Sequence, residues 1–342
     1  MRYAVLVAPS ANRVYAQSAA ALGLAELGVV NERVLGGALS ELREEVLGSV
    51  SYLTFTAPEL APQALSWLSN LATTFALFRV EDGRLAPLDL QRWDQLDSDL
   101  ISIQKYAGKT NEAFTKLLLN VTLAASAFAS QRRALSVLDP FCGRGTTLNQ
   151  ALMYGFHATG VELDKKDFEA YALFIQRWVK DKRLKHEAVQ GHVKGHPKLD
   201  VTLGVDKARY KAGDTLRISY VSADTHAIAE VFQPRSFDLI VTDAPYGVQH
   251  GAQTGNATSR KPLELLHSAI PIWRAALRPG GAIGIAWNNL VARRDKLAQL
   301  LTDSGLEVCD SLAYRGFEHR VDNSIQRDLI VARLGVAEVT SP

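Results

Sequence analysis

The run FDLIVTDAPYGVQHG, residues 237–251, carries a stretch of apolar residues into Asp243-Ala244-Pro245-Tyr246. The Asp243 carboxylate and the Ala244 carbonyl, held by the following Pro245, can each accept a hydrogen bond from an NH2 group. The Tyr246 ring can stack on the flat base that carries that group. An apolar strand of this kind belongs inside an open α/β sheet, whose ligand crevice lies at the C-terminal strand ends. Taken alone, the same residues also describe a tight turn after a strand, where Asp, Pro and Gly serve geometry only.

A second constellation lies about a hundred residues upstream. In LSVLDPFCGRGTTLNQ, residues 135–150, an apolar run leads into Asp139-Pro140, then Gly143-Arg144-Gly145, then a helix opening at Thr146. Strand, glycine turn and helix make a nucleotide-binding βα unit, and the glycines let the backbone approach a ligand closely. Leu148 occupies the place of a third glycine, so a pyrophosphate is less favoured and Asp139 is free to meet a cationic group. The next strand, HATGVELD, ends in Glu162 and Asp164. An acid there is placed to bond ribose hydroxyls, although an exposed strand-end carboxylate is the plainer alternative.

DPFCGRG at 139–145, GVELD at 160–164 and DAPY at 243–246, in this order and spacing, resemble the class I S-adenosylmethionine-dependent methyltransferases. The last motif looks like the D/N-P-P-Y signature of the branch that methylates exocyclic amino nitrogens. DAPYGVQHG is similar to the DPPYGxRxG run of tRNA guanine-N2-methyltransferases acting at position ten, and residues 105–126 look like the segment preceding their first motif. The resemblance covers about residues 100–335. It implies S-adenosyl-L-methionine held by Asp139, Phe141, Gly143, Gly145, Glu162, Asp164, Asp224 and Asp243. It also implies a target amine gripped by Asp243, Ala244, Pro245 and Tyr246. For Asp224, in VSAD, helix capping is an equal alternative to meeting the adenine. Ala244 departs from the family's first proline but keeps its carbonyl. Only about a hundred residues precede the matching part, where the family usually carries a long RNA-binding region with a THUMP domain.

Composition agrees with a soluble enzyme: 47% hydrophobic and 22% charged residues are ordinary globular usage. No apolar run is long enough to span a membrane, and the N-terminus does not read as a signal peptide. Cys142 and Cys309 are the two cysteines, with no CxxC pair, which points to the cytoplasm and away from disulfides and zinc thiolates. His186, His192 and His196 lack partners at ligand spacing, so no metal is expected.

Charge is unevenly spread. Residues 1–100 hold 7 Lys/Arg against 12 Asp/Glu, while residues 176–217 hold 11 against 5. The second stretch, with Lys182, Arg183, Lys185, Lys207 and Arg209, is the expected contact for tRNA or another RNA. A solvated helix end followed by a polar loop is its plainer meaning. A small activating protein partner, and a monomer or a homodimer, all stay open.

The elements that must position these residues follow from periodicity. Apolar runs at 135–140, 157–163, 216–222, 237–243, 281–287, 306–314 and 327–334 predict seven strands. Helical stretches at 111–130, 146–154, 165–183, 262–277 and 290–304 separate most of them. The expected fold is α/β, a seven-stranded Rossmann-like methyltransferase sheet whose last strand is antiparallel. RPGG at 278–281 is expected to stop a helix before the fifth strand. Residues 1–95 predict a small α+β module, with a helix ending at Gly28 and a hairpin about Asp82-Gly83. It resembles the ferredoxin-like domain found before THUMP in related enzymes. Residues 96–110 are the expected linker and 111–336 the methyltransferase domain. The competing readings are a DNA adenine or cytosine amino-methyltransferase, a small-molecule or protein methyltransferase, and a non-catalytic cofactor-binding protein.

Overall fold

The computed structural model describes residues 1–10, 12–106, 108–131, 133–245 and 262–336. The N-terminal part runs β1 (Arg2–Val7), α1 (Arg13–Arg33), β2 (Ser40–Leu47), β3 (Val50–Thr56), α2 (Pro62–Asn70), β4 (Thr74–Glu81) and β5 (Arg84–Leu88). Its sheet has the order β2-β3-β1-β4-β5 with every pair antiparallel, the β-α-β-β-α-β succession of two interleaved βαβ units. The β4–β5 hairpin turns at Asp82 and Gly83, both at positive φ, as a two-residue turn of the favoured twist requires.

One local expectation differs, and one strand, β2, has no counterpart in the sequence reading. Helix α1 does not stop at Gly28 but continues to Arg33. A Cβ added at Gly28 would lie 3.2 Å from the Ala313 Cβ, so this glycine marks a close packing contact rather than a helix end. Strand β2, SELREEVL, is almost wholly exposed. An edge strand coated in charge shows no apolar alternation to read.

The rest of the chain runs α3 (Asp99–Ser102), α4 (Glu112–Ala125), β6 (Ser136–Asp139), α5 (Thr146–Met153), β7 (His157–Glu162), α6 (Lys165–Asp181), β8 (His186–Val193), β9 (His196–Leu203), α7 (Lys207–Lys211) and β10 (Leu216–Ser222). It continues α8 (Ile228–Val231), β11 (Phe237–Asp243), α9 (Pro262–Ala276), β12 (Leu277–Asn288), α10 (Arg294–Asp303), β13 (Glu307–Cys309), β14 (His319–Arg320) and β15 (Gln326–Arg333). These strands build one mixed sheet of order β13-β15-β12-β11-β6-β7-β10-β9-β8, with β14 on β15. Strands β10, β7, β6, β11 and β12 are mutually parallel, and β15 is antiparallel to β12. β11 is buried along almost its whole length, the mark of a strand covered on both faces. The fold is α/β and Rossmann-like, with the seven expected strands present.

The β8–β9 hairpin extends this sheet at one edge and replaces the expected helix end and polar loop. Its signal was the alternation Leu199, Val201, Leu203, each buried, and the turn at Lys194 and Gly195, both at positive φ. The charges of the stretch masked a period-2 pattern. RPGG likewise lies within β12, not before it; a Cβ at Gly281 would fall 2.6 Å from the Asp238 carbonyl oxygen. Of the predicted run 306–314, only residues 307–309 pair as a strand.

The two sheets are joined through polar and apolar contacts. Glu26 of α1 is fully buried; it accepts from Ala72 N and from Asn120 Nδ2 of α4, and Asn120 Oδ1 accepts from Tyr154 Oη. Residues 91–99 are bonded on both sides. Arg92 donates to the Ser69 carbonyl of α2, Gln95 N donates to Met153 O of α5, and Trp178 Nε1 of α6 donates to Asp99.

Candidate active site

The parallel strands deliver four acids to one end of the sheet, because each βα unit exits its strand at the same end. Asp139 closes β6, Glu162 closes β7, Asp224 follows β10 and Asp243 closes β11.

Asp139 is 3% exposed. Its Oδ1 accepts from Thr242 Oγ1 at 2.7 Å and from Phe141 N at 3.1 Å. Burial pushes its carboxyl up to about 7. After it, the chain turns through Gly143 and Gly145, both at positive φ. Gly145 has a second reason to lack a side chain, since a Cβ there would lie 2.3 Å from the Tyr171 ring. The absent third glycine is also explained: Leu148 is fully buried, and the close helix–strand approach is met by Gly160 on β7, where a Cβ would sit 2.5 Å from Cys142 Sγ and 2.8 Å from Leu148 Cδ1.

Glu162 accepts from Gly143 N at 2.9 Å and from Asp164 N at 2.8 Å, which holds its carboxylate across the mouth of the glycine turn. Burial raises its carboxyl. Asp164 caps α6 by accepting from Lys166 N. Between them Leu163 is 68% exposed, an apolar surface at a strand end that sequence reasoning missed. Phe141 packs edge-on against Trp273 of α9, with centroids 5.4 Å apart. Asp224 caps the 3₁₀ turn Thr225–Ala227, accepting from His226 N at 2.9 Å, so its capping role is real.

Asp243 is held from two distant parts of the chain. Its Oδ2 accepts from Thr110 Oγ1 at 2.7 Å and pairs with Arg327 Nη2 of β15 at 3.3 Å. Arg327 is buried and lies 4.7 Å from the Phe114 ring centroid. Neither Thr110 nor Arg327 was singled out by sequence reasoning. The loop with Thr110 is marked in the sequence only by its family resemblance, and nothing local marks an arginine 84 residues downstream. The same loop brings Tyr106 to Thr146 Oγ1 at 3.2 Å and under the Arg144 guanidinium. Ala244 is 3% exposed and its N donates to Ala286 O; Pro245 is exposed. Tyr246 lies outside the described residues.

The five predicted substrate cations are not part of this cluster. Helix α6 leads away from the end of β7, so Lys182, Arg183 and Lys185 arrive at the opposite end of the sheet. There His186 pairs with Leu203, and Leu203 pairs with Leu216 at the start of β10. Lys207 and Arg209, in α7 just before β10, lie at that end too. A seven-residue strand separates the two ends by about 20 Å. Lys182 is also engaged by Asp97 and Asp99, each at 2.7 Å, and Arg209 by Asp214 and Gln95. Arg183, Lys185 and Lys207 are exposed.

The donor set at the C-terminal end fits a cationic nucleoside ligand without phosphates. A buried acid with only hydroxyl and amide donors bonded to it, a glycine turn, and a carboxylate across that turn are the groups that would meet such a ligand. Among the described residues no cluster of His, Cys, Asp and Glu could hold a metal, and no helix is long and apolar enough to cross a membrane.

None of the curated proteins compared matches this chain. Among solved structures, the 1,6-didemethyltoxoflavin-N1-methyltransferase of Burkholderia thailandensis, with bound S-adenosylhomocysteine, is similar at 17% identity over 66% of this chain and 80% of that one, with a TM-score of 0.38. The N-methyltransferase NodS of Bradyrhizobium japonicum is 14% identical over 65% and 94%, TM-score 0.39. The Pyrococcus horikoshii protein PH1948, named as a candidate RNA methyltransferase, is 12% identical over 69% and 95%, TM-score 0.40. At such scores the likeness says nothing of this chain's substrate. Residues 111–269 match the family described as UPF0020: RMKL-like, methyltransferase domain. The match over residues 111–269, together with the strand order and the acid-lined glycine turn, supports a methyltransferase domain in the C-terminal part of this chain, and S-adenosyl-L-methionine is the cofactor that such a domain implies.

Proposed function

We propose that the protein methylates an exocyclic amino nitrogen of a nucleobase, with guanine N2 of tRNA as the substrate. The observation that carries this reading is Asp243. A carboxylate at the end of β11 is fixed by Thr110 and Arg327 beside the cofactor cleft, and is followed by the buried Ala244. A positioned acceptor there would take a hydrogen bond from the amine and shift electron density onto nitrogen as it attacks. The sulfonium of the cofactor supplies an activated methyl group. The protein's share is alignment of the amine with that group, which contributes several kcal/mol to lowering the barrier. Thr110 and Arg327 limit the rotamers of Asp243, so little reorganisation is left for the reaction. Asp139 and Glu162 are the proposed anchors for the amino-acid and ribose parts of the cofactor.

Guanine N2 in tRNA is supported by the DAPYGVQHG run alone. The test is mass spectrometry of nucleosides from total tRNA, with and without the gene. Loss of N2-methylguanosine supports the reading. Loss of a methylated adenine or cytosine in DNA, with tRNA unchanged, replaces it with the DNA reading.

A further inference from the structure

Beside Asp224 the structure holds a hydrogen-bonded chain that the reading above does not use. His226 Nδ1 bonds Asp224 Oδ1, and His226 Nε2 meets Ser268 Oγ of α9 at 2.7 Å. His226 N also donates to the same Oδ1 at 2.9 Å. The Leu265 carbonyl oxygen lies 3.0 Å from the same Ser268 Oγ and competes with Nε2 for its single proton. Asp224, His226, Glu264 and Ser268 line one open cleft next to the C-terminal end of β10.

A carboxylate only accepts hydrogen bonds, so the proton sits on His226 Nδ1 and Nε2 faces the serine hydroxyl. The order acid, imidazole, hydroxyl is also that of a nucleophilic triad. Ser268 however lies inside α9, where the backbone N–H groups are committed to helix bonds, so no pair of free amides stands at its oxygen to stabilise an oxyanion. The chain is therefore suited to positioning. Two donors from one residue reach one oxygen of Asp224, which sets the plane of its carboxylate, and the ring is braced from a second element.

We infer that His226, braced by Ser268, is the positioning residue that aims the Asp224 carboxylate at the 6-amino group of the cofactor's adenine, and that this pair sets the preference for adenine over a 6-oxo purine. The inference rests on the reading of this cleft as the cofactor site. A carboxylate held in one orientation accepts from an amino group and repels a carbonyl oxygen; a carboxylate that swings can turn away from the carbonyl and loses that discrimination.

The test is calorimetry with S-adenosylhomocysteine and its inosine counterpart, using the full chain and no substrate. The wild-type protein is expected to bind the adenine form at least tenfold more tightly. His226→Ala should cut that ratio severalfold, mainly by weakening the adenine form. His226→Asn, whose amide can reach the same carboxylate oxygen, should restore most of it, and Ser268→Ala should cause a smaller loss. Thermal unfolding of each variant checks that the fold is kept. An unchanged ratio in a folded His226→Ala protein overturns the inference. Equal binding of both ligands by the wild type overturns it too, while leaving the cofactor site in place. Binding of neither ligand by the wild type overturns the cofactor reading and this inference with it.

Discussion

The two ends of the ten-stranded sheet each bury an aspartate, and they treat it in opposite ways. At the N-terminal end of β11, Asp238 has no exposed surface. It accepts from Arg133 at 2.6 and 3.0 Å, from Arg278 at 2.9 Å and from Ser136 N at 2.8 Å. Burial alone would raise its carboxyl, but the two guanidinium groups and the amide outweigh burial and hold it low. At the C-terminal end of β6, Asp139 is nearly as buried, yet only hydroxyl and amide donors reach it, and burial raises it to about 7. A buried charge is normally paired or neutralised. Asp238 is paired by the protein itself and serves the fold. Among the described residues Asp139 meets hydroxyl and amide donors but no cation of the protein, and we propose that the ammonium group of the cofactor is its positive partner. The contrast separates a structural acid from a binding acid without reference to any relative.

The comparison can be broken in four places, taken from the largest effect downward. Asp243→Asn keeps the shape but removes the charge that faces the proposed amine. Methyl transfer to the true substrate should fall by about a hundredfold or more, with calorimetric affinity for the cofactor within about threefold. Near-normal turnover would remove Asp243 from the chemistry.

Asp238→Ala strands two arginines that are partly exposed, so the loss should be moderate for a buried ion pair, about 3 kcal/mol of stability in denaturant unfolding. If stability stays within 0.5 kcal/mol, a scale set by ordinary surface changes, Asp238 is not the structural acid described here.

Asp139→Asn should do the reverse to the free protein. A carboxyl raised in the fold to about 7 favours folding below its unfolded value and weakens it as pH rises towards and through 7. Removing that group should therefore stabilise the ligand-free protein at pH 8, on the order of 2 kcal/mol, and leave it little changed at pH 4. Because Glu26 is also raised to about 7, the quantity to measure is the difference between wild type and variant across this range. The same variant should bind the cofactor about tenfold or more weakly. A destabilised, tight-binding variant would invert the assignment of the two acids.

The smallest effect is expected from the exposed cations at the Asp238 end. Neutralising Arg183, Lys185 and Lys207 should leave turnover of a short substrate unchanged. The slope of log affinity against log salt should flatten by about 0.7–0.9 for each residue that meets a phosphate of a long RNA. A collapse of turnover on a short substrate would place the reacting base nearer that end than the strand ends allow.

Much of this was open to reading in one dimension, and the residues show where that stopped. Asp139, Glu162 and Asp243 each follow an apolar run and precede a turn, so their assembly at one sheet end follows from βα alternation alone. The β8–β9 hairpin escaped because its buried face is one residue in two within a stretch whose charges read as a helix end and loop. The five cations are close in sequence, but that proximity could not show that α6 leads Lys182, Arg183 and Lys185 to the far end of the sheet and that α7, with Lys207 and Arg209, lies there too. Arg327 and Thr110 meet Asp243 across separations of 84 and 133 positions, which no local pattern encodes.

By itself, then, the sequence determined the class of fold, the order of the acids along it and the kind of chemistry those acids suit, because strand and helix periodicity and the glycine turn are local properties of the chain. The tertiary structure alone decided which buried acids are paired with the protein's own guanidinium groups and which meet only hydroxyl and amide donors. That depends on which cations the packing of distant strands and loops brings within hydrogen-bond reach, and reach over 3 Å is a property of three-dimensional packing that spacing along the chain does not contain.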